Sequence, residues 1–104
     1  MTIYKKLNLD EFNKAEQLLK EKGIKYERKD YTQSLSMFDM GDYEKHTIKN
    51  YGDDWLWDFI CSHGTYGAEE GLLEYWSKKM SDDEIDPIGW LTAEEVVEKI
   101  EAGI

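Results

Sequence analysis

Cys61-Ser62-His63 is where reactive side chains come closest together, because a thiol and an imidazole two positions apart share one face of a strand and could support nucleophilic catalysis. Such a pair also needs a group to orient the imidazole and donors for an oxyanion, and the neighbouring sequence suggests neither. Cys61 sits inside Trp55-Leu56-Trp57-Asp58-Phe59-Ile60-Cys61-Ser62, the most apolar run of the chain, where cysteine serves as a small hydrophobe. The chain is therefore read as a non-enzyme with no catalytic residue.

Metal and phosphate chemistry fare no better. Ligating His or Cys residues do not recur, and Asp82-Asp83-Glu84-Ile85-Asp86 lacks the alternating ligands, central glycine and terminal glutamate of a calcium loop. Gly64-Thr65-Tyr66-Gly67-Ala68-Glu69-Glu70-Gly71 is glycine-rich, but Glu69 and Glu70 would repel a phosphate and no lysine stands where a P-loop needs one. Neither metal nor cofactor is expected.

What remains is charge. The net value of −10 is unevenly spread: residues 1 to 51 hold nine acids against ten Lys and Arg, whereas residues 52 to 104 hold fourteen acids against Lys78, Lys79 and Lys99. Direct nucleic-acid binding is disfavoured, because affinity for a polyanion comes from basic side chains releasing counterions. Lys20, Lys22, Lys25 and Lys29 form at most a modest basic patch. An acidic half suits a basic protein surface, and the candidate partner-binding residues are Asp82, Asp83, Glu84, Asp86, Glu94, Glu95 and Glu98, with Glu69 and Glu70. If the 81 to 86 loop adjoins the exposed face of the last helix, Glu94, Glu95, Glu98 and Glu101, at least eight carboxylates form one surface. Two readings compete with this one. The acids are a solvated face that governs solubility alone, or the contact runs through Trp55, Trp57, Tyr66, Trp76 and Trp90 as an apolar patch or homodimer interface. Those aromatics are also the large residues that a small core needs.

The elements that must position these groups can be read from periodicity and punctuation. The 104 residues suffice for one domain, 1 to 104, and an apolar fraction of 40% is too high for a disordered acidic tail. A first helix is predicted over about residues 9 to 22, with Asn8 and Glu11 as a capping box, Leu7 and Phe12 as a staple, and Gly23-Ile24 as a Schellman stop. Residues 24 to 31 read as an edge strand. Ser34 to Met40 and Tyr43 to Tyr51 read as a hairpin about Gly41-Asp42, with Leu35 and Met37, or Phe38 and Met40, inside. Trp55 to Ser62 reads as a central strand buried on both faces. Leu72, Leu73, Trp76 and Met80 fit a short helix, residues 81 to 89 an acidic loop held down by its apolar residues, and Thr92 with Glu95 caps a final helix of about ten residues. The order predicts an α+β fold with an N-terminal helix, a three- to four-stranded antiparallel sheet and two C-terminal helices. A lone cysteine and the absence of a signal-like or spanning apolar stretch predict a cytoplasmic location with no membrane contact.

Residues Trp57 to Glu74, with Tyr66-Gly67-Ala68-Glu69-Glu70-Gly71-Leu72-Leu73-Glu74 at their end, and Gly89-Trp90-Leu91-Thr92-Ala93-Glu94-Glu95-Val96 resemble small proteins encoded by phages and prophages of Gram-positive bacteria. The resemblance covers the second half of the chain and implies no catalytic residue. By analogy of size, charge and setting it implies an anti-defence inhibitor, of anti-CRISPR or DNA-mimic type, acting in the bacterial host cell. Its partner would be a Cas effector or another nucleic-acid-binding protein, whose lysines and arginines the acidic face would occupy.

Overall fold

A computed structural model describes residues 4 to 34 and 41 to 104. The chain is α+β, and its described residues form one five-stranded antiparallel sheet and three α-helices. Helix α1 (Asp10–Glu21) leads into β1 (Tyr26–Ser34), β2 (Asp42–Asn50) and β3 (Trp57–Ser62). A 3-10 turn (Ala68–Glu70) precedes β4 (Leu73–Ser77), α2 (Lys78–Asp82), β5 (Ile88–Leu91) and α3 (Ala93–Ala102). The strands lie in chain order, each antiparallel to the next, so every sheet connection joins neighbours.

The helix ends follow local chemistry. Helix α1 stops in a Schellman motif, with Gly23 at φ +68°, the Ile24 N–H on the Leu19 carbonyl at 3.0 Å and the Gly23 N–H on that of Lys20 at 3.1 Å. Helix α3 starts in the capping box of Thr92 and Glu95. The capping box expected at Asn8 and Glu11 does not form. The helix starts later, at Asp10 with Leu9 in the cap position, so Asn8 Oδ1 accepts the Asp10 N–H at 2.9 Å in an Asx turn instead.

One face of the sheet carries α1 and α3. Phe12, Ala15 and Leu19 of α1 and Ala93, Val96 and Val97 of α3 pack on Ile48, Phe59, Cys61, Leu73 and Tyr75, and the Phe12 and Phe59 rings meet edge to face at 5.7 Å. β3 is the central strand, but it is not buried on both faces. Phe59 and Cys61 are covered, whereas Asp58 and Ile60 on the other face are only half-buried, because α1 and α3 both pack on the Phe59 side.

Four further expectations are corrected. Among the described residues the sheet has five strands rather than three or four. Leu73–Ser77, expected as helix, is a strand in which burial alternates with period two, placing Leu73, Tyr75 and Ser77 inside and Glu74 and Trp76 outside. The helical spacing of Leu72, Leu73, Trp76 and Met80 misled because Trp76 alternates with the fully buried Leu73 and Tyr75 along the strand and is itself half-buried, its ring 5.1 Å from that of Trp55. The fifth strand, Ile88–Leu91, comes from the end of the stretch read as an acidic loop. Finally, the partner of β2 is β1, with Gln33 opposite Tyr43 and Ser34 opposite Asp42. Residues 35 to 40 of the expected Ser34 to Met40 strand, including Leu35, Met37, Phe38 and Met40, lie outside the described residues.

Candidate interaction surface

The nine candidate carboxylates are all exposed, but they are not gathered at one place. Pairing of Leu73 with Leu91 and of Tyr75 with Ile88 gives the β4–β5 hairpin two ends. Glu69 and Glu70 precede Leu73, and Glu94 and Glu95 follow Leu91, so these four are carried at one end. Asp82, Asp83, Glu84 and Asp86 lie in the connection at the other end. A cavity of about 560 Å³ brings Asp82 and Asp83 to the last turn of α3, beside Ile100, Gly103 and Ile104. A ten-residue helix spans about 15 Å, which separates that turn from Glu94 and Glu95. The 81 to 86 loop therefore adjoins the C-terminal end of the last helix only.

Several of these acids also have partners within the chain. Glu94 pairs with Lys14, Asp82 with Lys78 at 3.1 Å and Asp83 with Lys79 at 4.0 Å, while Glu95 is held in its capping box. Among the described residues, Glu69, Glu70, Glu84, Asp86 and Glu98 form no ion pair within the chain. The acidic loop is pinned by hydrogen bonds rather than by apolar burial. The Ile85 N–H reaches the Met80 carbonyl at 2.8 Å and its carbonyl accepts the Trp76 indole N–H at 3.0 Å, while the Ile85 side chain stays exposed.

The aromatic candidates divide. Trp57 packs against the core, parallel to Phe59 at 6.3 Å. Trp55 and Trp76 cover part of the open sheet face, where the Trp55 indole donates to Asp58 Oδ2 at 2.7 Å. Burial on this face, aided by the nearby Glu74 charge, pushes the Asp58 carboxyl above its ordinary range despite the indole. Tyr66 and Trp90 are different: they are 68% and 55% exposed and adjoin at the backbone, with the Trp90 N–H directed at the Tyr66 carbonyl at 3.3 Å. Trp90 has φ +62°, and Glu84 at +59° is the other non-glycine residue with positive φ among the described residues. Two glycines make the close approach possible. A Cβ on Gly89 would come within 2.4 Å of Tyr66 Cβ, and one on Gly67 within 3.0 Å of the Trp90 backbone. The Tyr66 N–H in turn donates to Glu74 Oε2 at 3.1 Å. Sequence reading singled out both rings but offered no signal that they would adjoin, because the left-handed turn at Trp90 follows from a register shift between β4 and β5.

Cys61 and His63 do not form a pair. Cys61 is fully buried in the core, where burial pushes its thiol up to about 11. His63 Nδ1 accepts the Glu44 backbone N–H at 2.9 Å, so Nε2 carries the proton and donates to the Lys5 carbonyl at 2.7 Å. Both ring nitrogens are engaged, Nδ1 on β2 and Nε2 on the N-terminal segment, so the imidazole ties that segment to the sheet.

A chain of charges at the β1–β2 edge has no counterpart in the sequence reading. Arg28 lies over the Phe12 ring at 4.8 Å and bridges Glu16 Oε1 at 2.9 Å and Asp30 Oδ2 at 3.0 Å. His46 Nδ1 lies 2.6 Å from Asp30 Oδ1, and its Nε2 lies 3.0 Å from Glu44 Oε1. Glu44 Oε2 accepts the Leu7 backbone N–H at 3.0 Å. Hydrogen bonds from Arg28, then His46, hold the Asp30 carboxyl below its ordinary range. Burial alone would push Glu44 up, but the Leu7 N–H and His46 outweigh it and hold it low. Much of the first half's charge is thus used inside the fold.

Among the described residues, no group of three or more His, Cys, Asp and Glu is placed to hold a metal ion, and no helix is long and apolar enough to cross a membrane. No protein-family model, curated protein or solved structure matches the chain.

Proposed function

We propose that this protein works as a binding protein for a basic protein surface, and that it inhibits a nucleic-acid-binding protein by occupying the lysines and arginines which that protein uses to hold its polyanion. One observation carries the reading: the excess acid of residues 52 to 104 stands at the surface, and Glu69, Glu70, Glu84, Asp86 and Glu98 form no ion pair among the described residues, whereas the acids of the first half include the internally used Glu16, Asp30 and Glu44. Unpaired surface carboxylates raise the encounter rate with a basic partner and exclude acidic ones. Within this reading a Cas effector or another host defence protein is the partner implied by the phage resemblance. The division of the acids between the two ends of the β4–β5 hairpin favours a localised contact over imitation of a continuous phosphate backbone, which needs charge repeated at short intervals.

The test is association measured against ionic strength. Affinity for a nucleic-acid-binding partner should fall steeply with salt, and Glu69→Lys with Glu70→Lys should weaken it, while competing duplex DNA should displace the protein. Association that ignores salt and duplex would contradict the proposal.

A second reading, contact through an aromatic surface, is favoured by the exposure of Tyr66 and Trp90. The two readings meet at one place, because Glu69 and Glu70 follow Tyr66 in the same turn.

A further inference from the structure

The face of the sheet opposite α1 and α3 carries its own charge pattern, which the strand registers fix. Lys29 pairs with Thr47, Thr47 with Ile60 and Ile60 with Glu74, so these residues form one row across β1, β2, β3 and β4. The next row on that face runs Glu27, Lys49, Asp58 and Trp76. Side-chain contacts agree with the register: Lys29, Tyr31, Lys45 and Thr47 line one cavity of about 430 Å³, and Trp55 reaches both Asp58 and Trp76. Lys29, Tyr31 and Lys45 are exposed, while Thr47, Ile60, Glu74 and Trp76 are half-buried.

Charge on this face is divided by strand. On the β1–β2 half Lys49 pairs with Glu27, and Lys29 and Lys45 form no ion pair among the described residues. On the β3–β4 half Asp58 and Glu74 likewise form none. Asp58 accepts the Trp55 indole N–H, and Glu74 accepts the Tyr66 backbone N–H. A polyanion would meet two carboxylates here and a basic partner two lysines, and like charges set against each other are costly. The surface that suits both halves is one divided in the same way and presented in reversed order, and a second copy of the chain supplies it. A half-turn about an axis lying along the strands between β2 and β3 exchanges the halves. It sets Lys29 opposite Glu74 of the second copy, Glu74 opposite its Lys29, and Thr47 opposite its Ile60. Sheets packed face to face lie about 10 Å apart, a gap that an extended lysine and glutamate close between them. The Trp55–Trp76 pair then covers β1 of the other copy and supplies apolar area.

We infer that this chain forms a two-fold dimer through this sheet face, held by reciprocal Lys29–Glu74 pairs about a centre of Thr47 and Ile60. The inference goes beyond the proposed function and does not depend on it, because α3 with Glu94 and Glu98 packs on the other face of the sheet.

The test is sedimentation equilibrium of the full chain across concentration and salt, with the indole N–H resonances followed on dilution. The dimer should weaken with salt, and the Trp55 and Trp76 resonances should move on dilution while that of Trp90 stays. Lys29→Glu and Glu74→Lys should each weaken the dimer about ten-fold, because each sets two pairs of like charge across the axis. Lys29→Glu and Glu74→Lys combined in one chain should recover it, as should an equimolar mixture of the two single variants. That recovery separates the interface from any loss of folding when residue 74 no longer accepts the Tyr66 N–H. A chain that stays monomeric to about 1 mM would overturn the inference, as would a dimer indifferent to both reversals or one that the combined variant fails to restore. Movement of the Trp90 resonance in place of Trp55 and Trp76 would overturn it by locating the contact elsewhere. Movement of Trp55 and Trp76 only on adding a nucleic-acid-binding protein would overturn it by assigning the face to that partner.

Discussion

Glu44 in β2 receives the backbone N–H of Leu7 at 3.0 Å, so a buried carboxylate fastens the segment that leads into α1 to the sheet. The same carboxylate meets His46, and removing it strands both partners. Glu44→Ala should cost about 3 kcal/mol, the order expected when a buried charged hydrogen-bond partner is deleted. Urea unfolding followed by tryptophan fluorescence measures it. A loss below about 0.5 kcal/mol, the level of ordinary surface substitutions, would show that the contact is dispensable.

The same network sets an acid limit. Asp30 and Glu44 both have carboxyls held low in the folded chain, so between the folded and unfolded values the folded state binds fewer protons. Their contribution is present above the ordinary carboxylate range and is lost as pH falls through that range and on through the lower folded values. Stability measured across that window should fall with acid, and the fall should be shallower in Asp30→Asn. An identical acid limb in the variant would remove Asp30 from the account.

Asp58 works in the opposite direction. Its carboxyl is raised, mainly by burial, so its ionised form opposes folding and its contribution becomes more favourable as pH falls through the raised value. Asp58→Asn keeps an acceptor for the Trp55 indole and removes the buried charge beside Glu74. The variant should be at least as stable as the parent at neutral pH, measured by thermal unfolding. A clear drop in melting temperature would mean that the charge itself is required.

Helix caps offer a comparison within one chain. Thr92 closes a complete capping box on α3, whereas Asn8 makes only an Asx turn ahead of α1. Thr92→Ala should cost about 1 kcal/mol and Asn8→Ala clearly less. Equal losses would mean that the two starts are equivalent.

The thiol gives a probe of the core. With Cys61 fully buried and its thiol raised to about 11, labelling by a thiol reagent at neutral pH should follow global unfolding. Rapid labelling of the folded chain would contradict the burial.

Local signals carried the helices, and pairing decided the rest. Gly23-Ile24 and Thr92-Glu95 were readable because caps depend on neighbours in sequence. Leu73–Ser77 was misread because five residues with Trp76 on the open face satisfy a helical spacing as easily as an alternation, and only the β3 partner resolves them. The short β5 was missed because Asp86-Pro87 and Gly89 suggest a loop. Among functional candidates, composition located the acidic half, but only the β4–β5 register separates Glu69 and Glu70 from Asp82 and Asp83. The Tyr66–Trp90 contact and the Arg28–Asp30–His46–Glu44 chain join residues whose proximity no local pattern encodes.

The central claim, that unpaired carboxylates of the second half engage a basic protein surface, is tested most directly by capture of nucleic-acid-binding proteins from a bacterial host on the immobilised chain, with the eluting salt recorded and duplex DNA as competitor. The account predicts partners that duplex DNA displaces, that leave at raised salt, and that a Glu69→Lys, Glu70→Lys chain fails to hold. Partners retained at high salt and in excess duplex, and held equally by the charge-reversed chain, would contradict it.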